Sequence, residues 1–276
     1  MKITFVGHVC IDKNVIRGKT ETFYGGGVIH GAVTAKRLGA QVSVLTKCAE
    51  ADREGWTWLS NVGIEVAFLS SQSSTSIRNI YPSDNPDDRQ SALISHADPF
   101  SASDIEMIEA DVVHVDPLWF GEFPTALLAQ LKPRAALLAG DAQGFLRHVS
   151  EDGKMINRDL ANKRSVLPMF NVFKVDSREA LILTGLKDSR SAAQAVHNLG
   201  PKIVLLTHGG GVCVFDGNTY CESPFLGFTL EGRTGRGDTC TGAFLFAMHK
   251  MDLKEATALA ADVTSRKMQY RGPYRG

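Results

Sequence analysis

The chain has 276 residues, 43% of them hydrophobic and 22% charged, an ordinary balance for a globular protein able to bury a sizeable core. Thirty basic residues offset thirty acidic ones, so no long-range field draws in nucleic acid or an anionic membrane, and any phosphate contact must be local. Five cysteines (Cys10, Cys48, Cys213, Cys221, Cys240) without a C-x-x-C pair argue against a disulfide framework, and no apolar run approaches the ~20 residues of a membrane span.

Residues 3–6 read as a buried strand running into Gly7. After Gly25-Gly26-Gly27 comes a helix with Val28, Ala32, Ala35 and Leu38 at helical spacing, closed by Gly39. A second strand follows at 42–46. Short strands at 64–69, 76–81 and 91–95, separated by turn-rich segments, suggest a small β lid built from segments about 13–24 and 64–96. From about Asp98 the pattern becomes strand then helix. Strands at 112–115, 135–139, 172–175 and 203–206 alternate with helices near 124–131, 177–184 and 192–198. Residues 212–222 read as a hairpin around Asp216-Gly217-Asn218, and helices at 239–250 and 253–269 finish the chain. The expectation is one α/β domain over 1–276, with a mostly parallel sheet flanked by helices.

In open parallel sheets, ligands sit beyond the carboxyl ends of the strands. Asp116, Asp141 and Asp176 stand just past predicted strand ends, and Thr207-His208-Gly209 follows another. Each aspartate alone reads as a turn or cap. Together they suggest a cleft suited to hydroxyl groups and a divalent cation.

The sharpest element is Glu231-Gly232-Arg233-Thr234-Gly235-Arg236-Gly237-Asp238-Thr239, leading into an apolar helix. Gly235 and Gly237 permit positive φ and close approach of an anion. The N–H groups at a helix start carry partial positive charge and form an anion hole. Asp238 beside that hole can take a proton from an attacking hydroxyl while the amides of Gly235, Arg236 and Gly237 hold the transferred phosphoryl group. The plainer reading is a turn with an N-cap aspartate. Gly18-Lys19-Thr20 ends like a P-loop, but Lys13 occupies the first glycine position, and Cys240 stands where a dinucleotide fingerprint needs its third glycine. No zinc spacing and no basic stripe interleaved with aromatics is present. Arg266, Lys267, Arg271 and Arg275 near the C-terminus read as a solvated face.

Taken together these residues resemble the ribokinase-like, or PfkB, carbohydrate kinase family over essentially the whole chain. Asp12 matches that family's sugar-binding aspartate, and Gly25-Gly26 with Ala32 matches the start of its first helix. Asp176-Ser177-Arg178-Glu179 resembles its Asn-x-x-Glu motif, and Thr207-x-Gly209 its nucleotide-side segment. Gly235-x-Gly237-Asp238 matches its anion hole and base. His30 replaces a usual Asn, Asp176 another, Gly232 the Asp that opens the signature, and Arg236 a usual Ala. Motifs around Tyr24, Asp98, Trp119, Asp141 and Glu231 look like the myo-inositol kinase branch, although ribose or a ketohexose suits an acidic pocket almost as well.

The resemblance implies an ATP-dependent kinase acting on a cyclic polyol or sugar, myo-inositol first, as a monomer or homodimer, and the cysteine usage fits a reducing cytoplasm. Asp238 would be the base. Asp12, Gly26, Gly27, His30, Asp141 and Gln143 would hold the acceptor. Lys174, Thr207, Gly209 and Thr234 would lie along the nucleotide, with magnesium near Asp176 and Glu179, largely through water. The alternatives are a kinase for another sugar or a nucleoside, and a non-catalytic binder of nucleotide or sugar.

Overall fold

A computed structural model describes residues 1–82, 89–227 and 232–276. A nine-stranded sheet organises the molecule, in the order β15-β14-β13-β12-β9-β8-β1-β4-β5. Its strands are β1 (Lys2–Val6), β4 (Gln41–Cys48), β5 (Glu65–Ser70), β8 (Ala110–Val115), β9 (Ala135–Asp141), β12 (Val172–Asp176), β13 (Ile203–His208), β14 (Gly211–Phe215) and β15 (Tyr220–Pro224). All neighbours from β13 to β5 pair in parallel, while β14 and β15 form an antiparallel hairpin at one edge.

A second sheet, ordered β3-β2-β6-β7, comprises β2 (Cys10–Ile16), β3 (Lys19–Gly25), β6 (Thr75–Tyr81) and β7 (Gln90–Ser95). A short ribbon pairs β10 (Arg147–Val149) with β11 (Met155–Asn157). The sequence reading assigned residues 64–69 to the lid, but β5 pairs β4 in the large sheet. That strand is a half-exposed edge with polar ends, so its sequence looks like that of the lid strands. The middle of the second lid segment, 83–88, lies outside the described residues.

The helices are α1 (Gly27–Arg37), α2 (Trp58–Asn61), α3 (Leu128–Leu131), α4 (Gln143–Leu146), α5 (Lys163–Val166), α6 (Ser177–Thr184), α7 (Ser189–His197), α8 (Arg236–Ala247) and α9 (Leu253–Lys267). Strand side chains alternate between faces. Phe5, Val112, Ala139, Val172 and Leu205 therefore join the core beneath α1, α8 and α9. Val113, Val115, Leu138, Phe173, Val175 and Leu206 build the opposite core with α6 and α7.

The alternation also aims the strand ends. Val112 leads by steps of two to His114 and Asp116, Ala139 to Asp141, Val172 to Lys174, and Leu205 to Thr207. These polar residues thus emerge on the face where α1 and α8 begin. The two helices approach backbone to backbone: a Cβ on Gly242 would lie 2.4 Å from the Gly31 carbonyl oxygen. That contact brings the N-terminus of α8 over the strand ends.

Candidate active site

Helix α8 begins three residues earlier than the apolar pattern indicates, so Asp238 lies within its first turn. Gly235 is the N-cap in the left-handed region (φ 78°). A Cβ there would also sit 2.2 Å from the His30 ring, so glycine is required both by conformation and by space. Gly237 is helical and needs no positive φ. Its smallness serves close approach, because a Cβ would lie 3.0 Å from Lys174 Nζ. The Arg236 amide donates to the Arg233 carbonyl (3.1 Å), so it is engaged by a turn. In the first turn of any helix the amides lack intrahelical acceptors, and here those of Gly237 and Asp238 belong to that set. Arg236 also places its guanidinium 5.9 Å from the Phe225 ring. Glu231, which precedes Gly232 in that run, lies outside the described residues.

Carboxylate oxygens of Asp116, Asp141 and Asp238 all lie within 4.8 Å of one another. Asp141 accepts from the Gln143 amide (2.9 Å) and faces Lys174 Nζ at 3.1 Å. Both Asp116 oxygens are buried without a hydrogen-bond partner among the described residues, and Asp116 crowds the start of α1, 2.6 Å from where a Cβ on Gly27 would stand. Burial, then the charges of Asp238 and Asp141, push the Asp116 carboxyl well above its ordinary range. Burial and Asp141 lift Asp238 to about 6, against Lys174, Lys267 and Arg147.

Three carboxylates this close cannot all ionise with a single ammonium beside them. They call for a proton or a further cation. An all-oxygen acidic set of this kind fits a hard divalent ion such as magnesium, with Asp116 supplying the uncommitted oxygens.

The sequence reading put magnesium near Asp176 and Glu179 instead. Those two form a capping box: Asp176 accepts from the Arg178 and Glu179 amides (both 2.8 Å), and Glu179 accepts from the Asp176 amide (2.6 Å). Burial and Asp176 push Glu179 up to about 8, with Lys174 opposing. Their lone pairs are partly committed to starting α6, which leaves contact through water as their route to a metal.

On the second sheet, Asp12 of β2 joins a polar cluster. Asn79 Nδ2 donates to Asp12 (3.3 Å) and Asn14 (3.1 Å), and Ser91 donates to Asn79 (2.7 Å). Burial lifts Asp12 to about 6. Gln143 accepts from Arg147 (2.8 Å), whose charge reaches Asp12, Asp141 and Asp238. Asn79, Ser91 and Arg147 carried no sequence signal, because strand pairing and a helix exit bring them together. Asp116 did carry one, as a strand-end acid. Gly26 caps α1 at φ 124° and leaves no room for a side chain against the His8 carbonyl. His30 packs beneath Gly235 and is held neutral, its pKa lowered by burial to about 3. Thr207 is buried at its strand end, whereas Gly209 sits exposed in the β13–β14 turn and Thr234 is exposed before α8. A carboxylate cluster, a fixed ammonium and helix-start amides are the kinds of group that phosphoryl transfer to an alcohol draws on.

Comparison with known proteins agrees with that chemistry. The pfkB family carbohydrate kinase profile matches residues 2–276. A solved pyrophosphate-dependent kinase in the ribokinase family, complexed with a pyrophosphate analogue and myo-inositol, is 48% identical, with 99% of this chain and 97% of that one covered and a TM-score of 0.93. A sulfate-complex structure of a pyrophosphate-dependent kinase in the ribokinase family is 49% identical over 99% and 97% of the two chains, with a TM-score of 0.95. Cytidine kinase of Thermococcus kodakarensis is 27% identical, covering 89% of this chain and 87% of its own. The chain belongs to the pfkB carbohydrate kinase family and is a phosphotransferase acting on a hydroxyl group of a sugar or polyol.

Proposed function

We propose that this enzyme phosphorylates myo-inositol using inorganic pyrophosphate, in place of the ATP expected from the sequence, with Asp238 as general base. The observation that carries the reaction is the position of Asp238 in the first turn of α8, within 4.8 Å of Asp116 and Asp141 at the strand ends. The donor and acceptor rest on the two kinases at 48% and 49% identity, one complexed with myo-inositol and both described as pyrophosphate-dependent.

Asp12 on the lid side and Asp141 on the sheet side accept from the ring hydroxyls, and Asn79 holds the Asp12 carboxylate through its Nδ2. The reacting hydroxyl passes its proton to Asp238 as its oxygen attacks the near phosphorus. The bridging P–O bond breaks and inorganic phosphate leaves. The amides of Gly237 and Asp238 and the Lys174 ammonium hold the charge on the moving phosphoryl oxygens. Magnesium bound at the acidic cluster would supply charge neutralisation for the donor.

A donor-by-acceptor matrix tests this reading: pyrophosphate or ATP against myo-inositol, ribose or cytidine, with products followed by phosphorus NMR. Turnover of pyrophosphate with myo-inositol is expected. ATP supporting faster turnover than pyrophosphate would overturn the donor, and preference for cytidine would overturn the acceptor.

A further inference from the structure

Lys267, the last residue of α9, is 0% exposed, although the sequence places it in a basic run that reads as solvated. Lysine is among the residues least often fully buried, and an ammonium taken out of water costs several kcal/mol unless its donors are satisfied. Its Nζ donates to the Gly232 and Thr234 carbonyl oxygens. No carboxylate lies within ion-pair distance of it among the described residues. The partners are thus backbone carbonyls of the loop that leads into Gly235 and α8.

Carbonyl oxygens turned inward on a small cation are the arrangement that replaces the hydration shell of potassium. A lysine head is a compact point charge of the same sign. Gly232 packs flush on the end of α9, where a Cβ would lie 2.0 Å from the Met268 carbonyl oxygen, so position 232 admits no side chain of its own. The C-terminal end of α9 adds its partial negative charge. Burial lowers the Lys267 pKa to about 8, with Asp238 opposing, so the ammonium is charged at neutral pH and within electrostatic reach of the base.

We propose that Lys267 is a tethered cation: its ammonium occupies, from within the chain, the carbonyl-lined position beneath the anion-binding loop that a free monovalent cation could fill. It fixes the carbonyls of Gly232 and Thr234, and through them the left-handed turn at Gly235 and the outward aim of the α8 amides. It also places a positive charge, held at neutral pH, within electrostatic reach of Asp238. Lys267 is therefore a positioning residue, and the reaction needs no potassium or ammonium ion. This rests on the reading of α8 as the phosphoryl-binding helix.

The experiment measures kcat and KM in sodium, tetramethylammonium, potassium and ammonium salts at fixed ionic strength. The wild-type rate is expected to be the same in all four. Lys267→Ala should lose about 10²-fold in kcat, the scale for a lost oxyanion contact, with KM for the acceptor little changed. Potassium or ammonium, and never tetramethylammonium, should return about tenfold of that loss. Lys267→Met should show the same loss without rescue, because its side chain fills the space. Thermal melting establishes that the variants fold. Potassium stimulation of the wild type by several-fold would overturn the proposal without any variant. A folded Lys267→Ala enzyme with wild-type kcat, or one whose deficit no small cation relieves, would overturn it as well. Asp238→Asn separates the two readings: if it is inactive while Lys267→Ala fails these tests, only the tethered cation falls.

Discussion

The ammonium of Lys174 lies 3.1 Å from Asp141 Oδ2 and 3.6 Å from Glu179 Oε2, so one side chain of β12 links the acidic cluster to the capping box of α6. Burial pulls the lysine down, but Asp141, Glu179, Asp176 and Asp238 outweigh it and hold it well above its usual range. Lys174→Met should therefore leave buried acids uncompensated. The expected cost is about 3–5 kcal/mol by chemical denaturation at neutral pH, as for other broken buried pairs. The deficit should shrink at acid pH, where the freed carboxyls take up protons. A loss below about 1 kcal/mol at neutral pH would mean that water already screens the pair.

Asp238→Asn preserves shape and removes the proton acceptor. A positioned base contributes about 10²–10⁴-fold, so kcat should fall by at least about 10² with a modest change in KM. Activity within about threefold of wild type would refute the assignment of the base.

The pH dependence follows from the same residue. The base works only when ionised, and burial with Asp141 raises it to about 6. Activity should therefore fall about tenfold per unit below that value, with this acid limb absent in Asp238→Asn, and be flat above it until Lys267 loses its proton at about 8. A rate constant down to pH 4 would exclude Asp238 as the acceptor of the proton.

The chemistry on the strand ends was legible because Asp116 and Asp141 stand just past the predicted strands 112–115 and 135–139, where an open parallel sheet binds its ligands. The Gly-x-Gly-Asp run likewise announced a helix start. What the sequence could not convey depends on pairing across long stretches of chain. Lys267 meets carbonyls 33 and 35 residues away, and its helical neighbours alone suggest a solvated face. Glu122, fully buried, accepts from the His8 amide 114 residues away and from Leu118, which shapes the turns beside the cleft without any local signal. The assignment of 64–69 to the lid failed for a related reason: an edge strand of either sheet has the same half-polar pattern.

Gly242 tests how tightly α8 is tied to α1. A Cβ would stand 2.4 Å from the Gly31 carbonyl oxygen, backbone that cannot turn aside, so Gly242→Ala must push the helices apart. Overpacking of this kind costs about 1–3 kcal/mol. The shift also moves Asp238 relative to the strand ends, so kcat should fall together with the melting temperature. A destabilised enzyme with unchanged kcat would show that the active-site end of α8 is decoupled from its middle.

The acidic cluster sets the last expectation. Asp116 has both oxygens buried and unpartnered among the described residues, and the charges of Asp238 and Asp141 push it toward the protonated state when no cation is present. A divalent ion held there replaces that proton, so its affinity should fall as the pH is lowered. Removal of divalent ions with a chelator should stop turnover, and added magnesium should restore it. Asp116→Asn removes one charge while keeping the shape, so it should raise the magnesium concentration needed for half-maximal rate by about tenfold or more, the loss that even outer-shell partners of metal ligands cause. If the variant and the wild type show the same magnesium dependence, the ion binds elsewhere, and the capping-box pair Asp176 and Glu179 becomes the place to look for it.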